Sequence, residues 1–161
     1  MTDSPLNTAV PDFTAPMTSG RTFQLRGRVN AGGPVRYTVL YFYPKDNTPG
    51  CTTESIAFRE LHPQFLQRGA EIYGISRDSL RSHEGFKAKL DLPFELITDA
   101  DEALCEMFGV MKLKTMYGKT VRGIERSTFM IDAEGKIVKE WRGVKVPGHA
   151  EEVLECVTQQ C

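Results

Sequence analysis

The segment Tyr37-Thr38-Val39-Leu40-Tyr41-Phe42-Tyr43 is apolar and rich in aromatic and β-branched residues, without clear alternation. That is the signature of a central strand buried on both faces. Pro44 ends it. From Thr52 to about Gln67 the apolar positions return at helical spacing, with Ala57, Leu61 and Phe65 on one face. Pro63 is expected to kink that helix or end it early. The alternation then repeats as a strand from Glu71 to Ser76, a helix from Ser79 or Leu80 to about Leu90, a strand from Phe94 to Thr98 and a short helix from Asp101 to Phe108. Upstream, Phe13 and Thr22 to Leu25 flank the turn Thr18-Ser19-Gly20 and predict a short hairpin, followed by a loop from Arg28 to Pro34. Downstream, a long connection from Met111 to Glu125 carries Gly118 and Gly123. It leads into Thr128 to Ile131, the turn Asp132 to Gly135, and Ile137 to Trp141, which read as an antiparallel hairpin. A helix over Ala150 to Val157 closes the chain.

Strands that alternate with helices imply a parallel α/β unit, and the closing hairpin makes the sheet mixed. The order βαβαβαββα fits an α/β thioredoxin-like sandwich, a central mixed sheet flanked by helices with an N-terminal hairpin. With 161 residues the chain is expected to form one domain over 1–161, in which residues 1–9 are a loose arm. The charge is nearly balanced, 20 Lys+Arg against 21 Asp+Glu, which argues against the basic field that nucleic-acid binding requires. The longest apolar run is too short to span a bilayer, and the N-terminus lacks the basic start and apolar core of a secretory signal. The expectation is a soluble cytoplasmic protein.

The four cysteines are Cys51, Cys105, Cys156 and Cys161, and no two form C-x-x-C. That counts against a zinc site and against a thioredoxin-type redox pair. His62, His83 and His149 share no metal-ligand spacing and read as solvated or capping side chains. No metal and no cofactor are expected. Lys112, Lys114, Lys119 and Arg122 read as a solvated basic loop.

Cys51 differs from the other cysteines in its predicted place, just after a central strand and in the first turn of a helix. Unpaired backbone N–H groups and the positive end of the helix dipole favour a thiolate there. Pro44 and Pro49 stiffen the preceding loop, Gly50 permits close backbone approach, and Thr48 supplies a hydroxyl three residues before the sulfur. Thiolate formation alone is not enough for fast chemistry. Lowering a thiol pKa from about 8.5 to about 6 raises the thiolate fraction at neutral pH roughly thirtyfold. The accompanying loss of nucleophilicity, with a Brønsted slope of about 0.4–0.5, returns more than tenfold of that gain. The net gain is only a few-fold.

The string Tyr41-Phe42-Tyr43-Pro44-Lys45-Asp46-Asn47-Thr48-Pro49-Gly50-Cys51-Thr52-Thr53-Glu54 resembles the active-site loop of peroxiredoxins, and in particular of the bacterioferritin-comigratory or peroxiredoxin Q subfamily. The motif P-x-x-x-T-x-x-C is matched by Pro44, Thr48 and Cys51. Arg126-Ser127-Thr128-Phe129 resembles the segment that supplies the active-site arginine, and Glu54 stands where the family has the carboxylate that orients it. Lys119 to Ile131 and Trp141 to Leu154 resemble the subfamily's C-terminal third, so that the likeness runs from about Val10 to Val157. It implies a thiol peroxidase acting on hydrogen peroxide and organic hydroperoxides. Cys51 would become a sulfenic acid and be reduced by an external thiol, with thioredoxin the expected donor and a monomer the expected state. Arg126 and the Gly50 and Cys51 amides would stabilise the departing oxygen while Thr48 holds the peroxide; Arg122 is a rival for the arginine role.

Subfamily members with a resolving cysteine carry it five residues after the nucleophile, which is Ile56 here, or on the following helix, where Ser79 to Leu90 has none. Cys105 and Cys156 read as core packing and Cys161 as an exposed terminus, yet each remains a candidate resolving partner. Two other functions stay open: a disulfide or glutathione-linked thiol transferase, and a thioredoxin-fold redox sensor or thiol relay to a partner protein.

Overall fold

In a computed structural model, which describes residues 7–26, 29–30 and 33–159, the chain is built around β5 (Tyr37–Phe42). This strand pairs in parallel with β6 (Ala70–Ser76), and β6 in parallel with β7 (Leu96–Thr98). On its other side β5 pairs antiparallel with β10 (Ser127–Asp132), which pairs antiparallel with β11 (Ile137–Arg142). The hairpin of β1 (Thr14–Met17) and β2 (Arg21–Gln24) adds to the far edge through β7. The result is a seven-stranded mixed sheet in the order β11-β10-β5-β6-β7-β1-β2.

Side-chain alternation along β5 divides the interior into two layers. Val39, Tyr41 and Tyr43 face the helices α1 (Pro49–Gln67), α2 (Leu80–Leu90) and α4 (His149–Gln159), where they meet Phe58, Phe65, Phe86 and Val153. Leu40 and Phe42 face the N-terminal hairpin and α3 (Ala103–Met107), where they join Phe23, Phe108 and Phe129. Both sides of the strand are buried, as its lack of alternation predicts. No helix among the described residues is long and apolar enough to cross a membrane.

The structure departs from the sequence reading at four places. Helix α1 passes through Pro63 to Gln67 without ending there. Pro63 is exposed, so the backbone hydrogen bond its missing N–H costs falls on the solvent side, while Phe58 and Phe65 anchor the buried side. The stretch from Met111 to Glu125 is not an irregular connection but a hairpin of β8 (Met111–Met116) and β9 (Lys119–Ile124). Its outer half is exposed and therefore carries no apolar stripe. The two-residue turn is Tyr117-Gly118, both with positive φ, as a tight hairpin demands. The expected loop near residue 30 contains the short pair β3 (Val29–Asn30) and β4 (Gly33–Pro34). Finally, residues 7–9 of the expected loose arm are tied down, while residues 1–6 lie outside the described residues. The Asn7 N–H donates to the Ile137 carbonyl at 2.8 Å, and the Val10 N–H donates to the Gly135 carbonyl at 2.7 Å.

Gly74 on β6 shows how closely the layer behind α1 is packed. A Cβ there would stand 2.7 Å from Tyr41 Cζ and 2.9 Å from Leu96 Cδ2. Gly74→Ala is expected to destabilise the protein by about 1–3 kcal/mol in urea unfolding, because Tyr41 is fully buried and has nowhere to move.

Candidate active site

The sheet ends β5 at Phe42, and the chain turns through Pro44 to Thr48 into the first turn of α1. Thr48 is the N-cap residue, and its backbone carbonyl accepts the first helical bond, from the Thr52 N–H at 2.9 Å. Its hydroxyl makes no capping bond and donates instead to the Lys45 carbonyl at 2.8 Å. Pro49 opens the helix where no N–H partner is needed. Gly50 and Cys51 then present N–H groups that have no acceptor within the helix. Cys51 is 1% exposed.

Arg126 reaches this turn from the other side of β5. In the β5–β10 register Ser127 lies opposite Phe42, so the residue before Ser127 emerges at the strand end where the Pro44 turn begins. The Arg126 carbonyl accepts the Val144 N–H at 3.0 Å, which fixes its backbone. One arm of the guanidinium, Nη1, donates to Glu54 Oε1 at 2.7 Å, and the other, Nη2, donates to Cys51 Sγ at 3.5 Å. Cys51 and Glu54 are three residues apart and share a face of α1. The guanidinium also lies against Gly50, where a Cβ would stand 3.0 Å from Nη2. A side chain at position 50 would therefore press on the guanidinium.

Glu54 is 1% exposed, and its Oε2 has no hydrogen-bond partner among the described residues. Burial outweighs the attraction of Arg126 and pushes the carboxyl up to about 7. Burial works against the Arg126 charge too, but Glu54 and Cys51 beside it more than offset this and raise its pKa. The arrangement is a cation held between a sulfur and a carboxyl at a helix start, suited to carrying negative charge on sulfur and then on a departing oxygen.

Cys51, Thr48, Gly50, Glu54 and Arg126 thus come together, with Pro44 at the strand end. Arg122 does not; it pairs with Glu102 and Glu106. Cys105 is a fully buried free thiol whose pKa is pushed up by burial and by Asp99. It belongs to the apolar layer on the opposite side of the sheet from Cys51. Cys156 is buried as expected but is disulfide-bonded, whereas Cys161 lies outside the described residues.

The histidines depart from the solvated reading. His62 packs on Phe94, and partial burial lowers its pKa. His149 is buried, with Nε2 2.8 Å from Thr128 Oγ1, and burial lowers its pKa to about 4. His83 is 0% exposed and bonds to Asp46 in the Cys51 loop. Sequence reasoning missed this contact because Asp46 lies on another element, although the spacing of His83 with the buried Phe86 and Leu90 is a signal that the histidine faces inward. Asp46, Asp78 and His83 bring ligand atoms within 4.8 Å of one another, but those atoms are engaged with Tyr43, Ser76, Ser82 and the Ile97 carbonyl.

Residues 6–140 match the AhpC/TSA family. The chain is 51% identical over 154 residues to peroxiredoxin Bcp of Xanthomonas campestris pv. campestris, covering 96% of this chain and 94% of that one. It is 54% identical over 120 residues to peroxiredoxin Bcp of Bacillus subtilis, covering 74% and 76%. Among solved structures, a mutant of Xylella fastidiosa PrxQ superposes with a TM-score of 0.89 at 42% identity, over 99% of both chains. A structure of the X. campestris bacterioferritin comigratory protein, described in terms of its alkyl peroxide reduction activity, superposes with a TM-score of 0.86 at 46% identity, over 98% and 99%. The thioredoxin-like fold is that of these relatives, and the chain belongs to the AhpC/TSA family as a peroxiredoxin of the Bcp or peroxiredoxin Q kind.

Proposed function

We propose that the protein is a thiol-dependent peroxidase, reducing hydrogen peroxide and alkyl hydroperoxides, with Cys51 as the nucleophile. The observation that carries this is the Arg126 guanidinium, with Nη2 3.5 Å from Cys51 Sγ and Nη1 2.7 Å from Glu54. The Cys51 thiolate attacks the terminal oxygen of the hydroperoxide. An S–O bond forms as the O–O bond breaks, and the electron pair leaves on the alkoxide, which takes up a proton to become an alcohol or, from hydrogen peroxide, water. Sulfur is oxidised by two electrons to the sulfenic acid. Arg126 and the free N–H groups at the start of α1 carry the charge that develops on oxygen, and Thr48, whose hydrogen is committed to Lys45, accepts from the peroxide hydroxyl.

The cycle closes on an external thiol, which displaces water from the sulfenic acid to give a mixed disulfide. A second thiol then releases Cys51 and leaves with its partner as a disulfide. A dithiol protein of the thioredoxin class supplies both. The burial of Cys105 beyond the sheet and the engagement of Cys156 in a disulfide support this external route.

Three outcomes test the reading. Cys51→Ser is expected to abolish peroxide consumption, and retention of wild-type turnover would overturn the proposal. Arg126→Lys keeps the charge but loses the two-armed geometry; it is expected to slow single-turnover oxidation by about 10²-fold, and a loss of only a few-fold would show that the guanidinium fork is dispensable. The third concerns pH. The folded pKa of Glu54, about 7, exceeds its unfolded value of 4.5, so the native state holds the proton more tightly. This group's contribution to stability is present below about pH 4.5 and is lost as pH rises to about 7. Relative to Glu54→Gln, the wild type is expected to lose on the order of 2–3 kcal/mol between pH 4.5 and 8 in urea unfolding. A constant difference between the two would contradict it.

A further inference from the structure

The turn that carries Thr48 is held from outside by a buried polar cluster with no part in the chemistry above. Asp46 has a side chain 1% exposed, and it accepts from the Tyr43 hydroxyl at 2.6 Å and from the Ser82 hydroxyl at 2.8 Å. Its Oδ2 lies 2.7 Å from His83 Nδ1. The other ring nitrogen, Nε2, faces the Ile97 carbonyl at 3.1 Å. The imidazole thus spans the space from the Cys51 loop to β7, with an oxygen acceptor at each ring nitrogen. Ser82 and His83 stand in the first turns of α2, and the helix start is itself fixed by the Ser79 hydroxyl, which accepts the Ser82 N–H at 3.1 Å.

The cluster acts on Thr48 through one peptide unit. The Asp46 N–H donates to Asp78 Oδ2 at 2.9 Å, and Asp78 is anchored by the Ser76 hydroxyl at 2.5 Å. The carbonyl of that same peptide, on Lys45, accepts the Thr48 hydroxyl. Peptide planarity therefore links the Asp46 environment to the direction in which the Thr48 lone pairs point. The turn needs such support, because Asn47 has a φ of 65°, a left-handed conformation that non-glycine residues adopt at a cost.

We propose that His83 is a positioning residue for the peroxide step. Through Asp46 it holds the turn from Lys45 to Thr48 so that the Thr48 hydroxyl can orient a hydroperoxide in line with Cys51 Sγ. The proposal rests on the peroxidase reading and adds to it a helix that no motif reaches. A displacement on the order of 1 Å in such a group costs as much as 10²-fold in rate, whereas a reagent that needs only an accessible thiol is indifferent to it.

The test measures, on each variant, the single-turnover rate of Cys51 oxidation by hydrogen peroxide, the rate of Cys51 alkylation by iodoacetamide, and the melting temperature. His83→Ala is expected to slow oxidation about tenfold or more while alkylation stays within about threefold. His83→Asn, whose amide places an N–H near the position of Nδ1, is expected to recover at least half of the logarithmic loss. Leu90→Ala, buried on the same helix away from the turn, is expected to lower the melting temperature without changing the oxidation rate by more than about twofold. Should His83→Ala fail to fold, Ser82→Ala, which removes one donor from Asp46, is expected to slow oxidation about threefold. An oxidation rate within about twofold of wild type in His83→Ala or, failing that variant, in Ser82→Ala overturns the proposal. So does an equal fall in oxidation and alkylation, or a Leu90→Ala loss of rate matching that of His83→Ala at the same melting temperature. Peroxide consumption that survives Cys51→Ser would instead fail the peroxidase reading itself.

Discussion

Arg126 is the residue on which the site turns, because it is shared between Cys51 Sγ and the buried Glu54 carboxyl. A guanidinium placed there is costly to bury and is tolerated only with partners on both arms. The fold meets that requirement through the antiparallel pairing of β10 with β5, which delivers Arg126 to the same end of the sheet as the Pro44 turn. The rest follows from this meeting point. The guanidinium lies against Gly50, and Glu54, one turn along α1 from Cys51, brings its carboxyl within 2.7 Å of Nη1.

The aromatic layer under α1 gives the first turn its rigidity. Tyr41 stacks on Phe58 with ring centroids 4.8 Å apart and bonds Ser55 through its hydroxyl at 2.9 Å. Tyr43, one step along the same face of the strand, bonds Asp46. One strand face thus supports both the helix that carries the sulfur and the turn that carries Thr48. The other face packs against α3 and the N-terminal hairpin and holds Cys105 away from the chemistry. Cys156 lies on the same side of the sheet as Cys51 but is engaged in a disulfide, and these two placements are the reason an external thiol is proposed to close the cycle.

Much of this was legible in the sequence where burial leaves a pattern. The central strand, the alternating helices, the closing hairpin and the loop before Cys51 all have composition that matches their environment, and Arg126 and Glu54 were reachable through family resemblance. The β8–β9 hairpin was not, because its outer strands are exposed and its turn uses Tyr117 where Asn is the usual residue before Gly. His83 and His149 were misread for a different reason. Each is a single polar residue whose partner lies on another element, Asp46 in one case and Thr128 in the other. Helical spacing does put His83 on one face with Phe86 and Leu90, and His149 on one face with Val153 and Cys156, but it does not record the distant polar partner that each one meets.

The most direct test of the account is peptide mass spectrometry after one equivalent of hydrogen peroxide, without reductant, on the wild-type protein and on single Cys→Ser variants. The account predicts a gain of one oxygen at Cys51, trapped by a sulfenic-acid reagent and lost only in Cys51→Ser. Loss of two hydrogens with Cys51 linked to Cys105, Cys156 or Cys161 would contradict the external-thiol cycle, and an unmodified Cys51 would contradict the peroxidase assignment.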